Sequence, residues 1–133
     1  MKHLHWVFAL YLVALVVAVS FPAGPARPPR ERHYLNDTRA GNVDDLVQDV
    51  ARNVALFMPA GYLGLLVVGP TRRRAAVIVV LACALFSFGI ETMQHFFLTW
   101  RYSTWIDIVS NTAGGFAGAG LAQLLPLDRP PAP

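Results

Sequence analysis

The feature that most constrains this chain is the segregation of its apolar residues into four long stretches. Leu4 to Phe21 is interrupted only by His5 and Ser20, and Val54 to Gly69 follows as a second stretch. Ala75 to Leu98 and Ile106 to Leu125 are the third and fourth. At 1.5 Å per residue, about 20 residues cross a hydrocarbon layer ~30 Å thick, so the last two are long enough alone. The second becomes so if Leu46 to Ala51 extend it as a helix beginning near Asn42. Composition points the same way. The 133 residues are 55% hydrophobic and 14% charged, whereas roughly a quarter of a soluble domain is charged. The expected fold is all-α: a polytopic membrane protein with four transmembrane helices in a small bundle.

The polar breaks divide the chain. Residues 1–21 form the first helix and residues 22–42 an exposed loop, "PAGPARPPRERHYLNDTRAGN", rich in proline and mixed charge. Residues 43–125 form a three-helix core, and residues 126–133 a tail. Lys2 and the small residues Ala18, Ser20 and Ala23 also fit a cleaved signal peptide, the alternative reading of the first stretch. Cys83 is the single cysteine, so an internal disulfide is excluded. The net charge of +3 reads as a topology signal, and no nucleic-acid partner is expected in so apolar a chain. Short arginine-rich loops stay in the cytoplasm. Arg72, Arg73 and Arg74 therefore place both termini inside and the proline-rich loop outside.

Against this background a buried carboxylate stands out. "SFGIETMQHFF" (87–97) follows "AAVIVVLACALF" (75–86), which has no polar side chain. Placing Glu91 at membrane depth costs about 3 kcal/mol or more, so its surroundings must compensate. With four alternating helices, the start of the second, the end of the third and the start of the fourth meet on one side. Arg52 and Asn53, then Glu91, Gln94 and His95, then Arg101, Asp107 and Asn111, all fall there. Ser87, Glu91, Gln94 and His95 share a stripe through three- and four-residue steps. Asp107 and Asn111 share another, which continues through Gly114 and Gly118, a spacing that lets a neighbouring helix approach closely. Pro59 leaves the carbonyl of Ala55 without its helical donor, and Gly61 and Gly64 again favour close packing. One histidine and two carboxylates beside arginines make a weak cation cage, so neither a metal nor a cofactor is expected.

These residues resemble a known family. "NVALFMPAGYLG", "SFGIETMQHF" and "RYSTWIDIVSNTAGGFAG" look like the VanZ-like membrane proteins. The matching positions are Asn53, Phe57, Pro59 and Gly61; Ser87, Glu91 and Gln94; and Arg101, Asp107, Asn111, Thr112 and Gly114. Where many relatives carry extra acids before the last aspartate, this chain has Thr104, Trp105 and Ile106, so a paired-carboxylate or metal mechanism is not carried over. The resemblance implies a multi-pass protein of the bacterial plasma (inner) membrane. The family takes its name from a member linked to resistance to teicoplanin, a lipidated glycopeptide antibiotic.

Three functions are compatible with these residues. In the first, an outer-face site of Asn53, Glu91, Gln94, Arg101, Asp107 and Asn111 binds or remodels the polar head of an envelope lipid or a lipidated glycopeptide. Arg101 and Arg52 would hold a phosphate or carboxylate through charge-assisted bonds. In the second, the chain is a membrane-embedded enzyme acting on such a head group. Glu91, or Asp107, would then be acid or base, and Arg101 would stabilise developing negative charge. No serine or cysteine nucleophile is evident. In the third, the chain is a structural subunit of a homo-oligomer or envelope complex, assembled through its glycine seams. Binding is the favoured reading.

Overall fold

A computed structural model describes residues 3–20, 40–69, 73–97 and 104–125. They form four α-helices: α1 (Leu4–Ser20), α2 (Ala40–Val68), α3 (Arg73–Phe97) and α4 (Trp105–Leu124). The proline-rich stretch 22–39, the connection containing Arg101 and the tail from residue 126 lie outside the described residues.

The all-α fold and the four helices agree with expectation, whereas the spans agree in part. Leu46–Val68 and Arg73–Phe97 have the length and mean hydropathy of a membrane span, 1.5 and 2.2 respectively. The extension of the second stretch back through Leu46 is what brings α2 to that length. Helix α1 is apolar throughout but has 17 residues. Helix α4 has 20 residues, yet it is not among the spans, because Asp107, Ser110, Asn111 and its glycines dilute its apolar character.

Local chemistry sets the helix ends. Gly69 adopts φ +117, a conformation other residues rarely accept, and its N–H bonds the carbonyl of Leu65 at 2.8 Å. Helix α2 thereby stops at Val68, and Arg73 and Arg74 open α3. Helix α4 starts at Thr104, an extended N-cap whose N–H is accepted by the Asp107 carboxylate at 3.1 Å. Helix α2 begins at Ala40, just before Asn42, and runs unbroken through Pro59. The Tyr11 hydroxyl of α1 donates to the carbonyl of Leu56, next to the carbonyl that Pro59 leaves without a donor.

Helix α2 is the centre of the bundle, packed against all three others, most extensively against α4. Close packing here is backbone against backbone. A Cβ added at Gly114 would meet the carbonyl of Val54, and one at Gly118 would meet the carbonyl of Met58. One at Gly61 would meet the carbonyl of Gly115. Both glycine partners rise together along α2 and α4, so these two helices run parallel. Helix α3 runs antiparallel to α4, with Ser87 bonded to Asn111 and Cys83 packed against Gly115. Glu91, one turn beyond Ser87, thus comes level with Asp107, one turn before Asn111.

The distribution of side chains is the reverse of a water-soluble domain. Among the described residues, Leu15, Phe57 and Leu65 are large apolar core members, but much of the remaining interior is glycine, alanine and polar side chains. The outside carries Trp6, Leu10, Leu85, Phe88, Phe96, Phe97, Trp105 and Phe116. Such packing of small residues at helix contacts is what close approach of backbones requires.

Candidate functional site

The polar side chains of α2, α3 and α4 converge at the end of the bundle where α2 and α4 begin and α3 ends. Asn53 is 5% exposed and its amide donates to the Asp107 carboxylate at 2.6 Å. The same amide approaches the Ser110 hydroxyl at 3.3 Å. Asp107 uses its other oxygen to accept from the N–H and hydroxyl of Thr104, at 3.1 and 2.8 Å. One carboxylate therefore both caps α4 and ties it to α2. An acid in the first turn also suits the positive end of the helix dipole.

A turn deeper, the amide of Asn111 donates to the Ser87 hydroxyl at 2.8 Å, linking α4 to α3. Both residues are buried, Ser87 completely. Glu91 is buried as well, with 6% exposure, on the stripe that runs from Ala75 through Val79, Cys83 and Ser87. Its side chain lines a groove of about 400 Å³ between α3 and α4, beside Thr104, Trp105 and Ile108. The expected stripe is present, with one exception. His95 is exposed and stands edge-on to Phe96, so it lies off the buried face.

Gln94 and Arg52 have a different setting. Gln94 is fully buried and its amide donates to the carbonyl of Val19 at 2.9 Å. Arg52 lies 3.4 Å from the carbonyl of Ala18. Those carbonyls belong to the last turn of α1, which has no helical donors left. Both side chains therefore satisfy the end of α1, and Gln94 joins that helix to α3. Arg101, the remaining cation expected at the site, lies outside the described residues.

The structure thus bonds Asn53 to Asp107 and Ser110 and, a turn deeper, Asn111 to Ser87; it sets Glu91 level with Asp107 and turns Gln94 towards α1. Three participants were not evident from sequence. Ser110 lies three residues after Asp107 on the same face, and Thr104 three before it in the cap position; that spacing was the available signal. Tyr11 had none, because its partner is a backbone carbonyl forty-five residues away in the chain. Thr112, a position in the matching motif, bonds its hydroxyl to the carbonyl of Ile108 at 2.7 Å.

The chemical character is acceptor-rich. Glu91 and Asp107 contribute carboxylates, and the side-chain oxygens of Gln94 and Asn111 are buried with no hydrogen-bond partner among the described residues. A buried acceptor left unsatisfied costs about 1–3 kcal/mol, so this end of the bundle favours groups that present N–H or O–H donors.

These features define a class: a small helical bundle with an apolar exterior, glycine-packed helices and a polar network confined to one end. The chain belongs to the VanZ/LLP1 family, whose sequence profile matches residues 8–126. The match extends beyond the motif-bearing core to include most of α1. Neither a curated protein nor a solved structure matches the chain.

Proposed function

We propose that this protein crosses the plasma membrane four times, with both termini cytoplasmic, and that its outer end binds the polar head of an amphiphile. The envelope lipids and lipidated glycopeptides are the fitting class. The spanning of α1 and α4 rests on which faces they show. Mean hydropathy averages a helix around its circumference, whereas lipid meets only the outside. The polar residues Ser110 and Asn111 of α4 are buried, while Val109, Phe116 and Leu124 face outwards. Its 20 residues reach about 30 Å. The 17 residues of α1 reach about 25 Å, a mismatch a bilayer accommodates by local thinning.

The observation that carries the binding reading is the concentration of Asn53, Ser87, Glu91, Asp107, Ser110 and Asn111 at one end of an otherwise apolar bundle. A structural ion pair needs two side chains; here two carboxylates, two amides and two hydroxyls come together. Hydroxyl and amine groups of a head group would donate to the acceptor oxygens. Arg101, in the connection just before α4, supplies the charge for a phosphate or carboxylate on the same ligand. Asp107 and Asn53 hold the start of α4 in place while the ligand exchanges.

The test is the lipid retained by purified protein, identified by native mass spectrometry. Glu91→Gln keeps shape and size and is expected to keep the fold while losing the retained amphiphile. Adding Arg101→Gln should not restore it, because the ligand needs both charges. A folded double variant that retains amphiphile as the unaltered protein does would sink the head-group site and leave a structural pair.

A further inference from the structure

The groove lined by Glu91 continues along the bundle. A second groove, of about 410 Å³, lies on the same α3–α4 seam, between Val80 of α3 and Val109, Thr112 and Phe116 of α4. Ile108 lines both. From Thr104 to Phe116, α4 advances about 18 Å. One leaflet's share of a ~30 Å hydrocarbon core is about 15 Å.

Polarity is confined to one end of this seam. The hydroxyl of Thr92, beside Glu91, and that of Thr112, on the second groove, are already used by their own helices. Thr92 donates to the carbonyl of Phe88 at 2.8 Å, and Thr112 to that of Ile108 at 2.7 Å. What these two side chains leave for a ligand is their methyl groups. The exposed rims are apolar, with Phe88 59% and Phe116 69% exposed. At the other end stand the buried carboxylate of Glu91 and, behind Thr104, the half-buried one of Asp107.

We propose that the α3–α4 seam is an acyl-chain track: one chain of a membrane amphiphile lies in it, entering sideways from the bilayer. Its head group is thereby delivered to Glu91. The inference rests on the head-group reading above and adds the part of the ligand that the reading leaves out. The length, the one polar end and the self-satisfied hydroxyls together fit a single extended hydrocarbon chain. An extended peptide would bring backbone N–H and C=O groups that this seam has nothing to satisfy.

The probe is a phosphatidylethanolamine with a photoactivatable diazirine in its acyl chain, reconstituted with the full-length protein in vesicles. Cross-linked positions are mapped by peptide mass spectrometry. Labelling at Phe116, 69% exposed, is expected to exceed, several-fold, that at the equally exposed Leu10 and Val13 of α1, 68% and 64% exposed. Ala113→Trp, an exposed position on the second groove, should fill the lower track and abolish labelling at Phe116 without touching the core. Equal labelling of all exposed positions overturns the track, as does unchanged labelling in Ala113→Trp. The two readings fail separately. Track labelling that survives Glu91→Gln leaves the track standing and removes the head-group site. Lipid retention that depends on Glu91 without track labelling does the reverse.

Discussion

Replacing Gly118 by alanine adds one methyl group, and the structure says where it goes. A Cβ at this position falls on the carbonyl of Met58 and lies 2.8 Å from both the Met58 carbonyl carbon and the Tyr62 nitrogen. These are backbone atoms of a helix and cannot rotate away. A carbon rests against a carbonyl oxygen at about 3.3–3.6 Å, so α2 and α4 must move apart by an ångström or more. A gap of 0.5–1 Å forfeits a quarter to a half of each contact, itself ~0.1–0.2 kcal/mol. Some fifty atom pairs loosened in this way would lose about 1–5 kcal/mol. The Asn53–Asp107 bond, 2.6 Å long, would stretch beyond bonding distance and forfeit about 0.6 kcal/mol more.

Alanine is a better helix former than glycine by about 0.8–1.0 kcal/mol, so the comparison needs a site where that term acts alone. Gly120, on the same helix, has nothing within 4 Å of an added Cβ. Gly118→Ala should therefore be less stable than Gly120→Ala by roughly 2–5 kcal/mol, with propensity cancelling between them. Reversible unfolding in mixed micelles with increasing denaturing detergent measures the difference. Two variants agreeing within about 0.5 kcal/mol, the range of an ordinary surface change, would mean that α2 and α4 do not close on this glycine.

Ser87→Ala, Asn111→Ala and the double variant form a cycle that should give a coupling energy of about 0.6 kcal/mol, typical of hydrogen bonds between membrane helices. Zero coupling in the same unfolding assay would break the α3–α4 link. Gln94→Leu removes the donor that α3 offers to Val19. Amide exchange at the end of α1 should quicken while α4 is unchanged, and equal exchange throughout would refute the capping role. For orientation, Arg30→Cys in a Cys83→Ala background should react with an impermeant thiol reagent on intact cells. Labelling only after the membrane is opened would invert the topology.

The sequence by itself determined the elements. Four apolar stretches separated by proline, glycine and arginine make four helices, because each peptide group removed from water must bond within its own segment. Connectivity then brings the starts of α2 and α4 and the end of α3 to one side, whichever way the chain is inserted. For that reason Asn53, Glu91, Asp107 and Asn111 could be assigned to one end before any coordinates were known. The Gly114–Gly118 seam was legible for a similar reason, since only small residues allow backbones to touch.

What the tertiary structure decided was which polar group meets which. Spacing along a helix gives a face but not the rotation of that face towards one neighbour or another. Gln94 shares a stripe with Glu91, yet it is turned to α1, where the terminal carbonyls of that helix have no helical donors left. Arg52 stands one residue from Asn53 and likewise faces α1, while Asn53 faces α4. Ser110 and Thr104 enter the network only because Asp107 sits at the cap of α4, a boundary that hydropathy placed two residues later. Periodicity fixes what is on a helix surface; the partner is chosen by how closely the glycines let α2 and α4 approach.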